Sequence, residues 1–193
     1  MNPASDNLLI LRWEDTRYTL AEIVDLIHSA FRERAEQGLN MGGITISMEE
    51  LETILQDAVM YVAEQNGKPV GILTARYVKR ETRGKPEQYC HLGYVAVSPS
   101  VKRGGIGGLL LNRLEEDAKK QECRYIISNT AESASSAVAW HIKHGFKRIK
   151  YTKWKSRNYP SIIFRKELTL SFRRIFPIIS EILYQHSKYQ YNR

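Results

Sequence analysis

A glycine-rich stretch in the middle of the chain restricts the fold more than any other feature of the sequence. Four of the five residues 104–108 are glycine, and Lys102 and Arg103 precede them. A short apolar segment ending at Val97, followed by Ser98-Pro99, predicts a buried strand before the loop. The spacing of one apolar helix face follows in Ile106, Leu109, Leu110, Leu114 and Ala118. The stretch therefore predicts a strand, a glycine loop and a helix in succession.

This loop has the chemistry of an anion site. Glycine lets the backbone approach a ligand closely and adopt positive φ, and the free amides at a helix start attract phosphate. A P-loop is excluded, because it requires Gly-Lys-Ser/Thr and the chain has Gly107-Gly108-Leu109. A dinucleotide fingerprint is excluded as well, since Leu110 stands where its third glycine should be.

Two motifs carry a resemblance to a known family. Lys102-Arg103-Gly104-Gly105-Ile106-Gly107 resembles the pyrophosphate-binding motif of the GNAT superfamily of acyl-CoA N-acyltransferases, with lysine in place of Gln/Arg at its first position. His141-Ile142-Lys143-His144-Gly145-Phe146 resembles the second landmark of that family, Tyr-x-x-x-Gly-Phe, with histidine at the aromatic position. The two motifs occur in the family's order, about 35 residues apart.

The predicted elements follow the order βααβββαβαββ, which is the order of the GNAT fold over about residues 8–168. The resemblance implies an α+β fold with a mixed central sheet of about seven strands flanked by helices. Residues 1–168 are expected to form the acetyltransferase domain. Residues 169–193 are expected to be a C-terminal helical extension, because apolar residues between Ile175 and Leu183 keep helical spacing. This helix could pack on the sheet, join a homodimer or lie on a membrane surface.

Local signals predict several boundaries. Thr19 with Glu22 and Ser47 with Glu50 are capping boxes, which predict helices over about 20–37 and 48–56. The apolar runs on either side of Asn66-Gly67 predict a hairpin with a type I′ turn. A flexible loop is expected over 39–46, a loop over 80–87 and a terminal hairpin over 147–168.

Composition and charge limit the possible partners. The 193 residues carry a net charge of +8, and the part from Lys143 onward holds 13 of the 29 Lys and Arg with 2 of the 21 acids. Coenzyme A, nucleic acid and an anionic membrane surface would each suit such a basic region. The sequence shows no membrane-spanning run or signal peptide, so a cytoplasmic protein without membrane insertion is expected. The two cysteines, Cys90 and Cys123, suggest neither a disulfide framework nor a metal site.

The resemblance also implies binding residues for acetyl-CoA as cosubstrate. The backbone of Val95, Ala96 and Val97 would bind the pantetheine arm. The diphosphate would be held by Lys102, Arg103, Gly104, Gly105, Ile106, Gly107 and Gly108. In the GNAT fold the first helices cover the acceptor pocket, which makes Phe31, Arg32 and Asn40 candidate substrate contacts. No metal is expected.

Two histidines are candidates for proton transfer. Many GNAT enzymes place a glutamate base on the central strand, six residues before its last apolar residue, and His91 has that position here. An imidazole has a suitable unperturbed pKa of about 6.5, although a chain of water molecules could remove the proton instead. His141 replaces the tyrosine that usually protonates the departing thiolate. It could serve as that acid or simply pack beside the sulfur.

The sequence therefore predicts an N-acetyltransferase that moves acetyl from acetyl-CoA to the primary amine of a small molecule by direct transfer. A non-catalytic acyl-CoA-binding regulator and a basic nucleic-acid-binding module are the alternatives. Tyr151, Trp154 and Tyr159 lie among lysines, as they would in a nucleic-acid surface, but a strand pair accounts for them more simply.

Overall fold

A computed structural model describes residues 7–82, 84–102 and 104–169. Within this part of the chain, seven strands form one sheet: β1 (Leu8–Arg12), β2 (Val59–Gln65), β3 (Lys68–Thr82), β4 (Lys85–Val97), β5 (Tyr125–Ala131), β6 (Lys147–Lys153) and β7 (Pro160–Glu167). The described helices are α1 (Leu20–Glu36), α2 (Gly42–Thr45), α3 (Met48–Leu55), α4 (Ile106–Lys120) and α5 (Ser135–Lys143).

The strands lie in the order β1-β2-β3-β4-β5-β7-β6. Every neighbouring pair is antiparallel except β4 and β5, which run parallel and are connected through α4. A mixed seven-stranded sheet flanked by helices was predicted from the sequence, and the structure confirms it.

Each face of the sheet has its own apolar core. One face packs against α4, whose Leu110, Leu111 and Leu114 are fully buried among residues of β3, β4 and β5. The opposite face carries α1 and α3, with Ile23 and Leu51 fully buried against β2 and β3. Strand β4 lies in the middle of the sheet, and its side chains contribute to both cores.

The local signals set several element boundaries as predicted. Both capping boxes are formed: the Thr19 hydroxyl accepts from the Glu22 amide, and Ser47 accepts from Glu50 in the same way. Asn66 and Gly67 have φ of 53° and 72°, as a type I′ turn between β2 and β3 requires.

Two loop predictions were wrong. Residues 80–87 belong mostly to a long β3–β4 hairpin, in which Arg80 lies opposite Glu87 and forms an ion pair of 2.8 Å with it. Gly84 therefore lies at a tight turn, and Pro86 is a residue of β4 opposite Glu81. The expected flexible loop over 39–46 contains the short helix α2. The predicted helix between Ile175 and Leu183 lies outside the described residues.

A polar cluster lies within the α4 face of the sheet. The Tyr61 hydroxyl donates to Asp117 Oδ2 at 2.9 Å, and Lys120 Nζ lies 2.9 Å from Oδ1. Arg113 Nε lies 3.4 Å from the same carboxylate. Burial alone would raise the Asp117 pKa, but these hydrogen bonds and nearby cations outweigh it and lower the pKa. The carboxylate therefore stays charged in the core.

Candidate active site

Helix α4 begins without a cap from the chain. Its N-cap residue is Gly105, which has φ +79° and no side chain with which to bind the first amides, and the first turn contains no acidic residue. By contrast, α1 and α3 each begin with a capping box and acidic residues. Free amides and the positive end of the helix dipole therefore remain available to an anion at the start of α4.

Two side chains at the C-terminal end of α5, Trp140 and the C-cap residue His144, lie directly against this helix start. A Cβ at Gly107 would stand 3.1 Å from Trp140 Nε1, and one at Gly108 would stand 2.8 Å from His144 Nε2. The Nδ1 of His144 faces the Trp140 carbonyl at 2.8 Å, and a carbonyl only accepts, so Nδ1 is the donor. Glycine at these two positions therefore makes room for the indole of Trp140 and the imidazole of His144, which lie beside the loop.

The parallel strands separate next to the same helix start. β4 and β5 share only the pairs Cys90↔Ile126 and His91↔Ile127. Beyond them, β4 continues to Val97 and β5 to Ala131 without pairing to each other. The backbone of Val95, Ala96 and Val97 thus borders a gap that an extended ligand could enter as an additional strand.

A β-bulge in β4 changes which way its side chains point. The pairing with β3 passes from Ala75↔Leu92 to Leu73↔Val95, and the amide of Tyr94 donates to the Thr74 hydroxyl at 2.8 Å. His91 lies between residues of the α4 core, so its side chain points to the opposite face. Tyr94 also packs on that opposite face, with α1. The bulge therefore brings His91 and Tyr94, three residues apart, to the same side.

His91 has the properties of a neutral base. Its side chain is partly buried, and this burial lowers its pKa below the usual 6.5; the charge of Arg76, its cross-strand neighbour, adds to the effect. Arg76 itself binds Asp57 at 3.0 Å. At neutral pH the imidazole of His91 is therefore uncharged and able to accept a proton.

His141 is buried in the fold, with 5% of its surface exposed. Its Nδ1 donates to the Ala137 carbonyl at 2.7 Å, which leaves Nε2 to accept from the Ser128 hydroxyl at 2.9 Å. Its ring stacks on Phe164 at 4.5 Å, and burial lowers its pKa. In this arrangement the single ring proton is on Nδ1 and Nε2 carries none, so the acid role would require Nε2 to take up a proton first, and it remains a prediction.

Of the two basic residues before the glycine loop, Lys102 is within the described part of the structure. Lys102 Nζ lies 3.1 Å from Glu33 Oε2 on α1, and both side chains are largely exposed. Lys102 is therefore adjacent to the α4 start but paired with a carboxylate that a diphosphate would have to replace. Arg103, the other predicted phosphate ligand, lies outside the described residues.

The three predicted acceptor contacts have different surroundings. Phe31 is 8% exposed and packs edge to face on Tyr94, with ring centres 6.2 Å apart. Arg32 is an exposed residue of α1. The side chain of Asn40 is used within the chain: Oδ1 accepts from the Asn158 amide at 3.0 Å, and Nδ2 donates to the Ser156 carbonyl at 3.0 Å. Asn40 therefore ties the α1–α2 connection to the β6–β7 loop.

A cleft of about 550 Å³ opens on the α1 face, between α2, α3 and the β6–β7 loop. Tyr94 and Arg157 line one side, and Glu49 and Glu50 from the first turn of α3 line another. This cleft is a candidate for the acceptor side of the site. The sequence prediction did not include Tyr94, Arg157, Trp140 or His144. An aromatic side chain three residues before the end of the central strand was the one available sign of Tyr94.

The fold and the site together indicate the kind of ligand that this protein binds. A central parallel pair opens into a gap, the gap ends at an uncapped glycine-rich helix start, and a cleft adjoins it on the other face. This arrangement suits an extended anionic ligand whose reactive end meets a second molecule on the sheet.

Comparison with known proteins identifies the family in which this arrangement occurs. The model of the acetyltransferase (GNAT) family matches residues 20–146. A GNAT-family acetyltransferase from Elizabethkingia anophelis with acetyl-CoA bound is 19% identical, with a TM-score of 0.61 over 84% of this chain and 99% of that one. A PaiA N-acetyltransferase from Thermoplasma acidophilum in complex with coenzyme A is 15% identical, with a TM-score of 0.65 over 82% and 99%.

The ribosomal-protein alanine N-acetyltransferase from Escherichia coli is 16% identical, with a TM-score of 0.62 over 86% of this chain and 96% of that one. No curated protein sequence matches the chain. Because the family model covers well over half of its length, the chain belongs to the GNAT acetyltransferase family. In the part that the structure describes, no helix is long and apolar enough to cross a bilayer.

Proposed function

We propose that this chain transfers acetyl from acetyl-CoA to the primary amine of a small-molecule acceptor by direct attack. The observation that carries the proposal is the start of α4, uncapped and free of acids, beside the gap between β4 and β5. The glycine loop would hold the diphosphate, and the exposed edge of β4 would hold the pantetheine arm. Lys102 and Arg103 would add positive charge next to the diphosphate.

The thioester supplies an activated acyl group, and residues of the chain would accept the proton from the amine and donate one to the thiolate. The acceptor nitrogen bonds to the carbonyl carbon, the carbon–sulfur bond breaks, and its electron pair stays on sulfur. An amine with a pKa near 10 is mostly protonated at pH 7. His91, kept neutral by burial, would accept the proton that the attacking nitrogen loses. A backbone N–H of β4 would polarise the carbonyl.

The departing thiolate requires a proton as well. His141, which has the position of the family's tyrosine, is the proposed source: Nε2 would first take up a proton from solvent, with the Ser128 hydroxyl turning to accept instead of donate, and would then give that proton to the sulfur. Replacing His141 with Phe would keep an aromatic ring in the core contacts but remove both nitrogens. Turnover equal to that of the unaltered chain would eliminate this role.

The test is release of CoA thiol from acetyl-CoA, followed with a thiol-reactive chromophore, with and without amines. Amine-dependent release would support the proposal. Thermal stabilisation by acetyl-CoA without release under any amine would favour the non-catalytic regulator. At a concentration 100 times the dissociation constant, such binding adds about 2.7 kcal/mol to the free energy of unfolding. If acetyl-CoA gives no thiol release and no thermal stabilisation, the proposal is contradicted outright.

A further inference from the structure

Two hydrogen-bond donors converge in the acceptor cleft above Gly42. A side chain beginning at that residue would have its Cβ 2.8 Å from Tyr94 Oη and 3.5 Å from Arg157 Nη2. Glycine therefore keeps a small space open between a hydroxyl and a guanidinium. Both residues line the cleft of about 550 Å³.

The guanidinium of Arg157 is held by the connection between α1 and α2. Its Nη1 donates to the Asn40 carbonyl at 2.5 Å, and the neighbouring Asn158 donates its side-chain amide to Gly38 at 2.7 Å. Among the described residues, no carboxylate lies within ion-pair distance of Arg157. A guanidinium has five N–H donors in a fixed fork, so the Nη2 side remains available to a planar anion.

Tyr94 is fixed on the other side of the gap. Its ring packs edge to face on Phe31, and Phe31 in turn lies under Gly43, where a Cβ would stand 2.9 Å from the ring. Burial raises the Tyr94 pKa, so the hydroxyl stays protonated and able to donate. Both donors are thus held by contacts within the chain, Tyr94 by Phe31 and Arg157 by the Asn40 carbonyl.

Two carboxylates in the cleft disfavour an anion of high charge. Glu49 and Glu50 line the same cleft, and like charges at short range repel. The guanidinium fork matches carboxylate and phosphate alike, so charge decides between them. In this cleft the two glutamates outnumber the single cation Arg157, and a dianion is therefore less favourable than a carboxylate.

We propose that the acceptor is an amine that also carries a carboxylate, and that Arg157 and Tyr94 bind this carboxylate while Asn40 positions Arg157. The proposal rests on the proposed acetyltransferase function and names its substrate class. Recognition by one guanidinium and one hydroxyl is worth about 10- to 100-fold in kcat/KM, as for hydrogen bonds to charged groups.

The experiment compares matched amines in the thiol-release assay. Glycine, β-alanine and 4-aminobutyrate are each paired with their carboxamide, which removes the charge but keeps the size, and 2-aminoethylphosphonate tests the dianion. Arg157→Gln removes the guanidinium. Tyr94→Phe removes only the hydroxyl and leaves the Asn40 contacts unchanged. Arg148→Gln removes the same charge from exposed β6 of the same hairpin, outside the cleft, and is the control.

The unaltered chain should prefer at least one carboxylate over its carboxamide by about 10-fold or more, mostly through KM, and should disfavour the phosphonate. Arg157→Gln should abolish that preference, Tyr94→Phe should reduce it several-fold, and Arg148→Gln should retain it. Release that is equal for acid and carboxamide, or a preference that survives Arg157→Gln in a folded variant, overturns this proposal alone. Absence of release with every amine overturns the proposed function as well.

Discussion

Replacing Gly104 with Asp should separate the stability of α4 from its ability to bind an anion. Gly104 precedes the N-cap, is exposed and has no positive φ, so an L residue fits its backbone. Its Cβ would stand 3.2 Å from the Val101 carbonyl, which is a tight but local contact. A carboxylate at this position would face the same free amides that a diphosphate would use.

The two effects of Gly104→Asp have opposite signs. A carboxylate near a helix N-terminus stabilises by about 0.3–1 kcal/mol, and losing a glycine adds about 0.4–1 kcal/mol through the unfolded chain. The contact with Val101 offsets part of this gain, so the free energy of unfolding should rise slightly. Against a bound anion about 4 Å away, the added charge costs about 1 kcal/mol in water and about 4 kcal/mol at an effective dielectric of 20. Coenzyme A should therefore bind at least fivefold more weakly.

Gly104→Asn is the matched control, because it has nearly the same shape and the same effect on the unfolded chain but carries no charge. Calorimetric titration with coenzyme A at low and moderate salt measures the affinity, and urea unfolding measures the stability. The difference between the two variants should shrink as salt increases. Equal affinities for the Asp and Asn variants at low salt would refute the assignment of the diphosphate to this helix start.

Three further predictions concern single side chains. His91→Gln should lower kcat/KM by about 10²- to 10⁴-fold and remove a pH inflection that in the unaltered chain lies below 6.5, because the lowered pKa keeps His91 neutral down to that pH; an unchanged profile would identify another base. Glu33→Gln should release Lys102 and lower the KM for acetyl-CoA about two- to fivefold, since an exposed pair is worth at most about 1 kcal/mol; an unchanged or higher KM contradicts this. Tyr61→Phe should cost about 1–2 kcal/mol of unfolding free energy at pH 7, because Asp117 loses a donor. The folded Asp117 pKa is lowered, so this cost should vanish as pH falls through it, and a cost that persists in acid would place its origin in packing.

The features that sequence reasoning could predict are those that neighbouring residues encode. A capping box needs two side chains three positions apart, and a type I′ turn needs two residues that tolerate positive φ, as Asn66 and Gly67 do. The glycine loop between an apolar strand and an amphipathic helix is a signal of the same kind. These segments also contain the residues assigned to the diphosphate.

The features that could not be predicted depend on partners far away in the chain. The bulge in β4 requires the Thr74 hydroxyl, which lies 20 residues from Tyr94, and it is the bulge that brings Tyr94 to the same face as His91. Arg157 is held by Asn40, 117 residues earlier. The long β3–β4 hairpin was missed because Gly84 and Pro86 favour a loop locally, while cross-strand pairing extends both strands to the turn. The interpretation of Asn40 as a substrate contact likewise could not include its bonds to the β6–β7 loop.

A crystal structure of this chain with coenzyme A bound would show directly whether the start of α4 holds the diphosphate. The diphosphate oxygens should lie within hydrogen-bond distance of the amides of residues 105–107, since the amides of Gly104 and Gly108 donate to the Val101 and Gly105 carbonyls. The pantetheine arm should run along Val95–Val97 in the gap between β4 and β5. The thiol end should then face the side of the sheet that carries His91 and Tyr94. Coenzyme A bound at any other place, or an unliganded start of α4 in crystals saturated with it, would contradict the account.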